Sequence, residues 1–352
     1  MVLALFLVFS LDLRGIWVPR WSIDDHEAIL NTLDGKFNHI FLQIYALGEA
    51  YYPSQLAPVR KHDDAWLRRF LAEARRRGIK VSAWLNVFYS WGYAPWTGDL
   101  RHPIRVYPNW YVEDRNGRSI LSYEVEDLKN QLIEGYYLTP ANAQVRRHMF
   151  RVIDEILDKY DFDGVHLDYF RYPSRRFIYD TAMRGKFLRR YCVDPVHSGD
   201  AEAELRYGAW GVKNLEDRLH ELARAELTDF MRALNDHVRE QRPHVEVSVA
   251  VKADYQSAST DFGQDWPAWV DDDLVHFVCL MAYGRDIESI LNKTMRRVND
   301  PRKVAVGVGI YNLSPERIAA QVKQVESLPF AGVVFFSYEE LRKNRNYLHA
   351  LR

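Results

Sequence analysis

The chain has almost no cysteine, no excess of either charge, and no hydrophobic run long enough to cross a bilayer. Cys192 and Cys279 are the only two cysteines in 352 residues, which excludes a disulfide framework and a cysteine-based metal site. Cys192 falls in a helix-rich stretch and Cys279 in a strand-like run, so both are expected to be free, buried thiols. Lys and Arg number 47 against 48 Asp and Glu, a formal net charge of −1. No bulk field therefore favours nucleic acid or an anionic membrane surface. Residues 1–10 (MVLALFLVFS) are apolar but too short for a membrane span. They lack a basic flank and a small-residue cleavage site, and residues 1–12 read as a remnant of an export signal. On that reading an extracytoplasmic location is expected over a cytoplasmic one, and residues 13–352 form a single domain. No internal repeat or low-complexity segment is evident.

What the chain does have is hydrophobic and aromatic material. Hydrophobic residues make up 47% and aromatics 14%, with 10 Trp and 21 Tyr. Many of these rings fall between predicted elements, a distribution that suits stacking on sugar faces and equally suits a buried interface. Eight strand-like apolar runs occur, at 13–18, 37–45, 79–86, 162–168, 245–252, 274–283, 303–310 and 332–337. Their near-continuous hydrophobicity suits parallel strands covered by helices. Helical patterns alternate with them. Residues 63–77 end in Arg75, Arg76 and Arg77 before Gly78, and 140–159 open with Pro140. Residues 214–240 alternate in charge and are expected to form an exposed helix, and Ser314-Pro315-Glu316 caps another running to Ser327. The alternation predicts a (β/α)8 TIM barrel, with long loops after the third and fourth strands. The loop after the third strand carries Trp91, Tyr93, Trp96, Tyr107, Trp110, Tyr111, Tyr136 and Tyr137.

The fourth strand carries the chemistry. In Phe162-Asp163-Gly164-Val165-His166-Leu167-Asp168, Val165 and Leu167 face one side while His166 and Asp168 face the other. Asp168 then stands at the C-terminal end of a barrel strand, where barrels place their reacting groups. It is the first candidate for a general acid or nucleophile. Asp163 has the opposite phase and is expected to be structural. His166 sits one layer below Asp168, either as a hydrogen-bonded core histidine or as a group that tunes Asp168 and contacts substrate. Other candidates for the rim are Gln43, Tyr45, Asn86, Trp91, Arg171, Tyr283 and Tyr311 as sugar-binding groups, together with Lys252. Glu339 and Asp286 are candidates for a second catalytic carboxylate, with Glu49 and Asp254 as alternatives, although helix capping also accounts for Glu339 and Asp286. His166-x-Asp168 resembles half of a metal pair. His276 has the wrong phase to complete it and no His-x-His lies near the first strand, so neither a metal nor another cofactor is expected.

Several segments resemble the bacterial glycosyl-hydrolase-like family 10. These are Arg14-Gly15-Ile16-Trp17, Phe41-Leu42-Gln43-Ile44, Tyr52-Pro53-Ser54, Ala83-Trp84-Leu85-Asn86, Leu138-Thr139-Pro140-Ala141-Asn142, the fourth strand through Tyr169, and Phe335-Phe336-Ser337-Tyr338. The resemblance implies a TIM barrel that acts on a bacterial cell-wall or extracellular polysaccharide. Members of that family often carry two adjacent acids after the fourth strand, whereas Tyr169 follows Asp168 here. The fourth strand is also similar to the signature of chitinase-type family 18, as Met281-Ala282-Tyr283 is to that family's sixth strand. His166 replaces an aspartate of the signature and Phe170 replaces its catalytic glutamate. The expected activity is endo-acting glycoside hydrolysis by carboxylate acid/base catalysis, with a non-catalytic glycan-binding barrel as the alternative.

Overall fold

A computed structural model describes residues 13–198 and 201–351. The N-terminal stretch read as an export remnant lies outside them. Eight parallel strands close into a barrel: β1 (Leu13–Val18), β2 (His39–Ala46), β3 (Lys80–Asn86), β4 (Gly164–Asp168), β5 (Glu246–Lys252), β6 (Phe277–Met281), β7 (Val304–Gly309) and β8 (Gly332–Phe336). Each pairs with its sequence neighbours, and β1 pairs with both β2 and β8, which completes the cylinder. The expected (β/α)8 TIM barrel is therefore the observed fold.

Helices cover the outside. They include α1 (His26–Leu33), α2 (Ala65–Arg76), α3 (Ala143–Lys159), α4 (Ala201–Gln241), α5 (Trp266–Asp271), α6 (Glu288–Met295), α7 (Pro315–Glu326) and α8 (Tyr338–Lys343). In α3, the Asn142 side chain accepts from the Gln144 amide, while Val145, Met149, Val152, Ile153 and Ile156 bury one stripe. Outward residues of the strands, such as Val165 and Leu167, join these helix faces in one large core.

Inward residues make a second, smaller core of Trp17, Phe41, Trp84, Phe277, Cys279, Ala305 and Val334. Glycine at position 307 makes room for it, since a Cβ there would stand 2.9 Å from the Trp17 ring and 2.7 Å from the Leu280 carbonyl oxygen. Asp163 lies just below β4, where it accepts the Val81 amide at 2.8 Å and stitches the base of β3 to β4.

Three expectations require correction. The long helix is not an exposed rod: Leu219, Leu222, Leu227, Phe230, Met231, Leu234 and Val238 of α4 are buried. The alternating charges occupy its outer face and masked an apolar stripe at helical spacing. At Gly208 (φ 70°, ψ 163°) the helix is interrupted, a conformation suited to glycine. Cys192 is exposed rather than buried, because it takes the left-handed position that ends a short helix (Thr181–Tyr191). The helix expected to open with Pro140 begins at Ala143, with Asn142 as its cap. In the loop after β3 the aromatic rings divide between interior and surface. The Tyr89–Trp91 segment pairs antiparallel with Tyr136–Tyr137, and Trp91, Trp110, Tyr111, Tyr136 and Tyr137 are buried as part of the large outer core. Tyr93, Trp96 and Tyr107 remain exposed.

Candidate active site

The C-terminal rim of the barrel gathers Gln43 from β2, Asn86 from β3, Asp168 from β4 and Lys252 from β5. Asn86 and Asp168 are register partners, as are Trp84 and His166 one layer below. Strand phase alone places these side chains on the inner face.

Asp168 is the best-defined group. Its Oδ2 accepts from Trp84 Nε1 at 3.1 Å and its Oδ1 from the Tyr169 amide at 2.7 Å. Only 8% of the residue is exposed. Burial raises its pKa above the usual aspartate value; the Arg171 charge and both hydrogen bonds act against that rise, and Glu134 adds to it. Tyr169 sits in the left-handed region (φ 52°), unusual for an aromatic residue, and turns the chain sharply after the strand. The turn brings the Arg171 guanidinium back over the Tyr169 ring, 4.5 Å from its centre.

Arg171, whose charge acts on Asp168, is itself bonded to a second carboxylate. It is 2% exposed and donates to Glu134 at 2.8 Å. Its buried Nε has no hydrogen-bond partner among the described residues. Burial works against its charge, yet Tyr137, Glu134, Tyr169 and Asp168 outweigh burial and hold its pKa above the ordinary value. Glu134 comes from the insertion after β3 and also accepts from the Tyr137 hydroxyl at 2.9 Å. Burial alone would raise the Glu134 pKa, but Arg171, Lys252 and the Tyr137 hydrogen bond bring it below the usual value. The Lys252 ammonium lies 4.0 Å from the same carboxylate. Arg171 thus acts on two carboxyl groups, bonded to Glu134 and reaching Asp168 through its charge, and the environments of the two acids push their pKa values in opposite directions.

Around this centre, the Gln43 amide donates to Asn86 Oδ1 at 3.2 Å and accepts from the Arg20 side chain at 3.1 Å. Tyr283 stacks on Phe336 (centroids 5.4 Å apart) and stands edge-on to Trp17 at 6.4 Å. Burial, and then Asp168, raise its pKa well above that of an ordinary tyrosine. Tyr311 is 50% exposed and meets Tyr283 edge-on at 6.1 Å, giving the rim an open aromatic face.

Other expected site residues lie elsewhere or are already engaged. Tyr45 does not reach the rim. A β-bulge between Gln43 and Tyr45 shifts the register so that Tyr45 pairs with Leu85, an outward residue, and the ring is buried in the outer core. His166 is fully buried. Its Nε2 accepts from Trp17 Nε1 at 3.0 Å, and because an indole only donates, the proton sits on Nδ1 and is donated to Ser248 Oγ at 2.9 Å. Burial, and then His39, keep the imidazole neutral, so it braces the barrel interior beneath Asp168. Trp91 is buried edge-on to His102 and donates to the Ala94 carbonyl. Asp286 is exposed and accepts the Glu288 amide at the start of α6. Glu339 accepts from Ser22 and Arg342, and although burial opposes it, those bonds lower its pKa. Glu49 is paired with Arg60, and Asp254 caps a helix through the Ser257 amide. None of these four acids is among the leading influences on Asp168, among which Glu134 is the carboxylate.

Sequence reasoning did not single out Glu134 or the Trp84 hydrogen bond. Trp84 shares the inward phase of Asn86 and was legible in principle. Glu134 lies 34 residues before Asp168, on an insertion whose path no local pattern dictates. Phe170, at the position of the chitinase-type glutamate, is fully buried against Phe88, Phe230 and Trp269. Among the described residues, no group of three or more His, Cys, Asp or Glu side chains is placed to hold a metal ion, and no helix is long and apolar enough to cross a membrane.

Comparison with known proteins bears on the fold and the family. The barrel is similar to that of a family 18 chitinase from Cycas revoluta solved with (GlcNAc)4, with a TM-score of 0.56 at 10% identity over 96% of this chain and 98% of that one. It is also similar to a family 18 N-acetylglucosaminidase from Paenibacillus barengoltzii, with a TM-score of 0.51 at 13% identity over 96% and 98% of the two chains. At such identities the likeness concerns the fold. In sequence, the chain is 22% identical over 277 residues to the glycosyl hydrolase YngK of Bacillus subtilis (strain 168), covering 71% of this chain. The chain spans about half (47%) of that relative's length. The model of the family described as glycosyl hydrolase-like 10 matches residues 12–322, and the chain belongs to that family.

Proposed function

We propose that the chain is a glycoside hydrolase that cleaves within a bacterial cell-wall or extracellular polysaccharide, with Asp168 as general acid. The observation that carries this reading is the opposed pair at the rim. Asp168 is held toward its protonated form by burial, while Glu134 is held ionised by Arg171 and Lys252. Glycosidic cleavage needs one carboxyl group that gives a proton to the leaving oxygen and a second, ionised group for the charge developing on the sugar or for the incoming water. Glu134 is assigned the second role in place of the acids expected from sequence. Gln43 and Asn86 present amide groups suited to sugar hydroxyls, and the open face of Tyr311 suits a sugar ring.

Release of reducing ends from a panel of bacterial polysaccharides tests the proposal. Wild-type protein is expected to release them, and Asp168→Asn to lose about 10²–10⁴-fold in rate with its fold intact. Undiminished turnover in that variant removes Asp168 from the mechanism.

A second reading, a barrel that binds glycans without cleaving them, draws support from Phe170, which leaves no acid at the chitinase-type position. It predicts saturable oligosaccharide binding with no product on long incubation.

A further inference from the structure

Beyond the rim, the insertions after β3 and β4 border, together with α4, a half-open cavity of about 380 Å³. The frame is tied across the two insertions. The Tyr179 amide donates to the Glu113 carbonyl at 3.1 Å, and the Thr139 hydroxyl donates to Asp180 at 2.8 Å. Phe177 and Tyr179, 0% and 7% exposed, are the most deeply buried of the lining residues. Tyr123 stands edge-on to Phe177 at 5.3 Å.

Three arginines against two carboxylates give the lining a formal charge of +1, since the bonds to Asp114 come from neutral donors and leave its charge in place. Asp114 is engaged, accepting from the Tyr123 hydroxyl at 2.5 Å and from the amides of Asn116 and Arg118 at 2.9 Å each. Glu216 is neutralised by Arg115 at 2.8 Å. That leaves Arg175 and Arg176, both exposed and lining the cavity, and among the described residues neither guanidinium has a carboxylate partner. His220 lines the same space, and burial, together with Arg175 and Arg224, lowers its pKa, so it meets a ligand as a neutral hydrogen-bonding ring.

We propose that this cavity is a subsite for an anionic substituent of a glycan, a carboxylate or a sulfate, which makes an acidic polysaccharide the substrate class. Guanidinium forks match the paired oxygens of either anion, and aromatic side chains suit the ring that bears it. Arg175 lies four residues after Arg171 (175 − 171), so their Cα atoms are at most about 14 Å apart. That span is within the reach of a few sugar units of one polymer chain. The proposal rests on the glycan-processing reading for the identity of the carrier.

Calorimetric titration of the intact chain with three oligosaccharides of equal length tests it: an oligogalacturonate, a sulfated galactan oligomer, and a neutral chito-oligosaccharide. At least one acidic probe is expected to bind about tenfold or more tighter than the neutral one at low salt, with the preference shrinking as salt rises. Which acidic probe it is identifies the anion. The double variant R175Q/R176Q changes two exposed side chains and is expected to abolish the preference without moving the unfolding temperature. Equal binding of all three probes overturns the proposal, as does a preference that survives in the double variant. Failure of the hydrolase reading looks different: arginine-dependent binding of an acidic probe with no cleavage of any glycan removes catalysis and keeps the subsite. Cleavage of a neutral glycan with no acidic preference removes the subsite and keeps catalysis.

Discussion

The ion pair between Arg171 and Glu134 makes a claim that can be tested without knowing the substrate. A charge-assisted hydrogen bond contributes about 1.5–3 kcal/mol when well buried. Arg171 is buried to 2% exposure, but the Glu134 side chain is 35% exposed, so solvent screening brings the expected coupling down to about 1–2 kcal/mol. Arg171→Met removes more than the pair, because it also takes away a charge that acts on Asp168 and leaves Lys252 as the remaining cation near Glu134; its total loss is expected to be about 2–4 kcal/mol, at the lower end of what breaking a buried pair costs. Glu134→Gln keeps an acceptor for the Tyr137 hydroxyl and is expected to lose about 1–2 kcal/mol. Urea unfolding of the wild type, both single variants and the double variant at neutral pH gives the cycle. The double variant is expected to lose about 1–2 kcal/mol less than the sum of the singles. The coupling also has a definite pH dependence. The folded Glu134 pKa is lowered, so the stabilisation is present above the ordinary value of 4.5 and fades as pH falls through the folded value. Additivity within about 0.3 kcal/mol at neutral pH refutes the pairing and, with it, the assignment of Glu134 as the ionised partner.

Three further outcomes are expected. Asp168 has a raised folded pKa, so its contribution to stability is complete below the ordinary value of 3.8 and is lost as pH rises through the folded value. The unfolding temperature of Asp168→Asn relative to wild type should therefore improve as pH rises through that window, and a flat or falling difference counts against the raised pKa. His166→Ala leaves the Trp17 indole N–H without its acceptor and opens a hole in the barrel interior. A loss of about 3–5 kcal/mol is expected in urea unfolding, and a loss below about 1 kcal/mol contradicts the structural role given to this histidine. Tyr311→Ala should weaken oligosaccharide binding about threefold to tenfold in calorimetry while leaving the unfolding temperature within a degree or so, since the ring is half exposed. Unchanged affinity excludes it as a sugar platform.

Much of the barrel was legible in the sequence, for a physical reason. Parallel strands covered on the outside read as apolar runs, and the helices between them carry caps and stops such as Ser314 and Gly78. The run at 13–18 matches β1 to the residue, and the position of Asp168 at the end of β4 followed from strand phase. Phase failed at Tyr45, because a bulge adds a residue without leaving a mark in composition: Ile44 suits either face. It failed in another way for α4, where alternating charges drew attention from leucines at helical spacing. The aromatics of the β3 insertion were visible, but whether a ring lines a cleft or fills the core depends on contacts far apart in sequence. Glu134 is the sharpest case. Its partners Arg171 and Lys252 come from two other loops and strands, so only the folded chain brings them together.

The central claim is that Asp168 donates a proton to a departing sugar oxygen. Comparing wild type and Asp168→Asn on two substrates tests this most directly, one being the polysaccharide and the other an activated aryl glycoside of the same sugar. The polysaccharide has a poor leaving group and needs the proton, whereas a nitrated phenolate departs without one. The account predicts a loss of about 10²–10⁴-fold on the polysaccharide and less than about tenfold on the aryl glycoside. Equal losses on both substrates, or none on the polysaccharide, would contradict it.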